Sequence, residues 1–152
     1  MRKRDIIKQK FEEFVTALEN FQPEKIGELV TEDVRGHFSN VGESEGKDEL
    51  IKSLMWKGRE MNVSRRRITN FVVRTEGDRA QQSAYVMSLI GYDNGSFLFP
   101  FEFGGKYVVS WRDQDGEWKI KEIRYDMDWE KGNTYFAEGW SFIDYKIYAG
   151  HK

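Results

Sequence analysis

Apolar residues recur at helical spacing in the first third of the chain and at alternate positions in most of the remainder. Residues 5–20 place Ile7, Phe11, Phe14, Val15 and Leu18 on one narrow stripe, which predicts an amphipathic helix. Glu19 falls on the flank of that stripe and Glu13 points away from it. Pro23 stands where a second short helix can start, because the N–H it lacks has no partner in a first turn anyway. Ile26, Leu29 and Val30 form the apolar side of that helix, residues 35–40 (RGHFSN) read as a short strand or a loop, and Gly42 and Gly46 bracket a turn. A third helix is expected over 47–57, with Leu50, Ile51, Leu54, Met55 and Trp56 turned inward.

From Asn62 onward the period becomes two. Four strands are expected at 66–75, 80–92, 97–112 and 117–129, joined at Glu76-Gly77-Asp78, Asp93-Asn94-Gly95 and Asp113-Gln114-Asp115-Gly116, which carry hairpin-turn chemistry. Phe97, Phe99, Phe101 and Phe103 alternate cleanly, as do Tyr107, Val109 and Trp111. Gly104-Gly105, in the middle of the third of these strands, predicts a bulge or bend that curves the sheet. Helices first and an antiparallel meander afterwards indicate an α+β fold with helices on one face of a curved sheet. Residues 1–132 are expected to form that domain. Residues 133–152 form an extension with six aromatic rings, too many to leave in water, which dock on the sheet, cover a pocket mouth or enter a subunit interface.

Composition narrows the function classes. Acidic and basic residues nearly balance (26 and 24, net −2) and are interspersed, so no global field favours nucleic acid or an anionic membrane. Only 39% of residues are hydrophobic but 15% are aromatic, so large rings supply much of the apolar area. Cysteine is absent, which excludes disulfides, thiolate ligands and a cysteine nucleophile. No apolar run approaches a membrane span and the basic start soon turns acid-containing, so a cytoplasmic location is expected. Large residues on both parities of the strand at 80–92 (Tyr85, Met87 and Leu89 on one, Val86 and Ile90 on the other) predict a homodimer through the outer sheet face.

Several short motifs occur in a telling order. Phe14-x3-Leu18-Glu19 is followed by Glu32-Asp33-Val34 and by Gly46-Lys47-Asp48-Glu49-Leu50. Ile68-Thr69-Asn70, Gly77-Asp78-x-Ala80, Gly105-Lys106-Tyr107, Gly116-x-Trp118-x-Ile120 and Asp128-Trp129 then complete the series. Together, over roughly residues 8–132, they resemble the SnoaL-like branch of the nuclear transport factor 2-like superfamily. The resemblance implies a cone in which three N-terminal helices pack on a curved, mainly antiparallel sheet around a hydrophobic pocket. It also implies a cofactor-free dehydratase, isomerase or cyclase acting on a hydrophobic cyclic compound. The alternative is a non-catalytic ligand-binding or assembly module.

Dehydratase-like members of that superfamily pair a tyrosine and an aspartate on the first helix with a histidine on the first long strand. Those positions correspond here to Phe14, Glu19 and Arg66. Phenylalanine cannot donate a hydrogen bond and arginine stays protonated, so the inherited base is missing. Glu19 and Arg66 become the candidate catalytic pair, facing each other across the pocket, with Arg66 on the same strand face as Asn70. Phe14, His37, Trp56, Asn70, Tyr85 and Tyr107 are the candidate substrate-binding residues. No metal site is expected, because His37 and His151 are the only histidines and neither stands in a ligand-spacing motif. No cofactor is expected either.

Overall fold

The computed structural model describes residues 2–55, 62–96 and 98–132. The expectations for Trp56, Phe97 and the aromatic extension at 133–152 lie outside the described residues. Helix α1 (Lys3–Glu19) buries Ile7, Phe11, Phe14, Val15, Ala17 and Leu18, the stripe its periodicity predicts. Helix α2 (Pro23–Leu29) starts on its proline and buries Ile26 and Leu29. Val30 does not continue it. Its backbone is extended (φ −120°, ψ 156°) and it opens β1 (Val30–Phe38), so the residue is buried as expected but in a strand. The polar segment 35–40 thus ends a nine-residue strand. A turn leads to β2 (Gly42–Glu45), and α3 (Lys47–Leu54) follows Gly46, whose φ of 89° suits a residue without a side chain.

The meander then runs through β3 (Val63–Glu76), β4 (Arg79–Asp93), β5 (Leu98–Gln114) and β6 (Glu117–Gly132). Together these elements give a six-stranded sheet in the order β2-β1-β6-β5-β4-β3. All neighbours are antiparallel except β1 and β6, which run parallel, so the sheet is mixed. Side chains on β4 alternate strictly: Ala80, Gln82, Ala84, Val86, Ser88 and Ile90 are buried under the helices, while Gln81, Tyr85 and Met87 face outward.

Four interruptions break the register of this sheet, one of them in the parallel pairing of β1 with β6 between Val30 and Arg35. On β3 the register slips between Thr69 and Val72, with Asn70 at φ 55°. On β6 an extra residue enters opposite Gly104-Gly105, and another opposite Ser110-Trp111. Gly104 and Gly105 are small for separate reasons. A Cβ on Gly104 would meet the Trp129 indole on the outer face, and one on Gly105 would meet the Asp126 and Met127 backbone and the Tyr125 ring. The expected bend is therefore a place where two aromatic side chains lie directly on backbone.

Phe11, Phe14, Phe101 and Trp111 are among the largest fully buried side chains. Rings run in contact from α1 to the sheet: Phe11 and Phe14 stack at 6.2 Å and both meet Tyr107 edge-on, and Tyr107 lies 4.7 Å from Tyr125. Among the described residues no helix is long and apolar enough to cross a membrane.

Candidate functional site

The ring chain ends at a cavity between the C-terminal end of α1, the β1–β2 turn, α3 and the inner face of the sheet. Leu18, Phe38 and Phe103 supply apolar wall, and Arg66, Tyr107, Tyr125 and Asn40 supply polar groups. Its empty space is about 360 Å³ counting the part open to solvent, and little of it is wider than a water molecule. Ser53 also lines it, but its hydroxyl donates to the Glu49 carbonyl at 3.0 Å.

Arg66 occupies an inward position of edge strand β3, opposite Ser88 on β4. The residue as a whole is half-buried, while its guanidinium lies deep among the rings. Desolvation lowers its affinity for the proton, and Tyr107, Glu19 and Tyr125 oppose that shift. A guanidinium remains a cation at neutral pH under such pressure. One nitrogen donates to the Ser64 hydroxyl at 2.8 Å.

The two tyrosines respond to the same burial. The Tyr107 hydroxyl is pushed up to about 12 by desolvation, with Arg66 pulling it back. Tyr125 is pushed further in the same direction. Both are therefore neutral hydrogen-bonding groups at physiological pH. Among the described residues, two buried polar atoms of this cavity have no hydrogen-bond partner: the Tyr125 hydroxyl and the Asn40 side-chain oxygen.

Glu19 and Arg66 do meet, but not as an ion pair across the cavity. The Arg66 backbone N–H donates to a Glu19 carboxylate oxygen at 2.6 Å, so Glu19 ties the end of α1 to the edge strand. Phe14 is fully buried behind Tyr107 and is not among the lining residues. Tyr107 does line the cavity, and Trp56 is outside the described residues.

Three candidates lie elsewhere. Asn70 is exposed: the extra residue at the β3 bulge breaks the alternation running from Arg66, and Phe71 turns inward against Phe11 in its place. Asparagine suits that site because it tolerates a left-handed backbone. Tyr85 is on the outer sheet face, where its hydroxyl donates to Asp128 at 2.7 Å and accepts from the Trp129 indole at 2.8 Å. His37 alternates with the buried Gly36 and Phe38 and so projects from the opposite face. Its ring nitrogens lie 3.0 Å from Glu43 and 3.0 Å from Glu122, linking β2, β1 and β6.

Conversely, Phe38, Asn40, Phe103 and Tyr125 line the cavity without being among the expected site residues. Phe103 shares the parity of Tyr107, a signal that was available. Asn40 sits in a polar turn and gave none.

The arrangement gathers one cation, two phenolic hydroxyls and an amide within aromatic walls, and no carboxylate or histidine lines it among the described residues. It can receive an anionic or carbonyl oxygen. Also among the described residues, no group of three histidine, aspartate or glutamate side chains is placed to hold a metal ion.

The family model of the SnoaL-like domain matches residues 1–124. This chain belongs to the SnoaL-like family. Solved structures share the fold of this SnoaL-like chain. A proposed aromatic ring hydroxylase from Novosphingobium aromaticivorans matches with TM-score 0.73 and 20% identity, over 89% of this chain and 96% of its own. A proposed scytalone dehydratase from the same organism matches with TM-score 0.72 and 17% identity, over 85% and 86%. A hexachlorocyclohexane dehydrochlorinase matches with TM-score 0.72 and 15% identity, over 86% and 88%. At these identities the likeness is one of fold. No protein of curated function matches the sequence significantly.

Proposed function

We propose that this SnoaL-like protein binds a small, largely apolar molecule through an anionic or carbonyl oxygen, as a binding module that does not abstract a proton. The Arg66 guanidinium, held among Tyr107 and Tyr125 in a cavity that no base lines among the described residues, carries this reading. A buried cation is costly to keep, and an anionic ligand in the cavity is a partner that offsets the cost. Calorimetric titration with benzoate tests it. The wild type and the surface variant Arg79→Met should bind alike, and Arg66→Met should lose at least about tenfold in affinity, the loss of one charged hydrogen bond. A wild type that takes up no ring acid rejects the proposal.

A cofactor-free lyase or isomerase is the second reading, and Glu19 is the observation that favours it. It is a carboxylate close enough for its charge to act on Arg66. Turnover that survives Glu19→Gln would remove it as the base. We further propose that the chain pairs as a homodimer through the outer sheet face, where Val72 and Met87 are 56% and 44% exposed.

A further inference from the structure

We infer that the ligand of this cavity carries a hydrogen-bond donor as well as its anionic or carbonyl oxygen, as a hydroxylated single-ring acid does. The inference rests on the binding reading above and adds the second polar group. Arg66 and the Asn40 oxygen make opposite demands. Guanidinium offers donors only, so an acid satisfies it. The Asn40 side-chain oxygen is an acceptor, the residue is 4% exposed, and no donor among the described residues reaches that oxygen. A plain acid would complete Arg66 and leave Asn40 bare.

The Tyr125 hydroxyl, on a residue 2% exposed and equally without a partner, can donate to the acid or accept from the same ligand hydroxyl. Buried polar atoms are almost always paired, so two orphans on one cavity wall mark where a guest's polar groups belong. Phe38 and Phe103 supply apolar surface against the body of such a guest, whose ring extends into the open side of the cavity because little of the enclosed part is wider than a water molecule.

The test is a calorimetric titration of the full chain with benzoate, the three hydroxybenzoate isomers and the matching methoxybenzoates. A methoxy group keeps the acceptor and removes the donor. One hydroxy isomer should bind about tenfold tighter than benzoate, and its methoxy counterpart should show no gain. Asn40→Leu should abolish that gain, so that within the variant the hydroxy isomer binds no tighter than benzoate. Should Asn40→Leu fail to fold, the hydroxy, methoxy and unsubstituted comparison on the wild type decides alone. Equal binding of benzoate and every hydroxybenzoate overturns this inference and leaves the binding reading standing, with water then the partner of Asn40. A gain that persists in Asn40→Leu, or that the methoxy acid shares, overturns it too. No binding of any acid defeats both readings at once.

Discussion

Tyr125 keeps its hydroxyl buried with no partner among the described residues, and that sets its stability and its usefulness in opposition. Removing an unsatisfied buried hydroxyl at constant shape relieves a desolvation penalty of roughly 1–3 kcal/mol in favourable cases. Tyr125→Phe should therefore raise the thermal midpoint of the ligand-free protein and weaken its grip on a ring acid. A lower midpoint would show that the hydroxyl is paired in the free protein. Glu19 behaves oppositely, because its carboxylate is spent on the Arg66 N–H. Glu19→Gln preserves an acceptor there and should cost little, whereas Glu19→Leu strands a backbone donor at about 1–3 kcal/mol. Urea unfolding of the two variants checks this, and equal losses would mean that charge, not hydrogen bonding, is what the strand end needs.

At the scale of elements, curvature is concentrated where β5 and β6 lose register. A Cβ on Gly105 meets backbone, which cannot rotate away, while one on Gly104 meets the Trp129 and Tyr85 side chains. Gly105→Ala should destabilise by about 1–3 kcal/mol and Gly104→Ala by less, read as thermal midpoints. The reverse order would mean that the Trp129–Tyr85 contact is the stiffer one. The Gly-Gly pair announced this bend because glycine inside an alternating strand has few other reasons to be there. The helices and the meander were legible for the same kind of reason, a change of period at Asn62. Other features left no such trace. Val30 is apolar in either element, and only tertiary pairing with Ile120 makes it a strand residue. The parallel contact of β1 with β6 joins distant segments, so no local pattern records it. A bulge misplaces one of the three candidates: one extra residue in β3 sends Asn70 outward, and alternation read through it gives the wrong face. His37 was misplaced because a histidine in a strand of unfixed register can be assigned to either side.

For the molecule as a whole, one sheet face is covered by helices and the other carries Val72 and Met87 in the open. If that face pairs, light scattering at micromolar concentration should give twice the 18.0 kDa chain mass. Val72→Lys with Met87→Lys should then return it to the monomer, since facing like charges oppose pairing. A monomeric wild type would remove the proposal. The buried tyrosines impose a second global property, a limit on stability in alkali. Folded, Tyr107 holds its proton up to about pH 12. Unfolded, it releases it near the ordinary tyrosine value of about 10. In that interval the unfolded chain binds fewer protons, so each rise in pH favours unfolding. The contribution is whole below about pH 10 and is lost as pH climbs through about 12. Tyr125 acts in the same direction. Far-ultraviolet circular dichroism followed together with tyrosinate absorbance should show the fold melting as the last tyrosines ionise. Tyr107→Phe removes one of the protons at stake and should move the alkaline midpoint upward. An unchanged midpoint would mean that the Tyr107 hydroxyl ionises inside the folded cone, next to Arg66, without opening it.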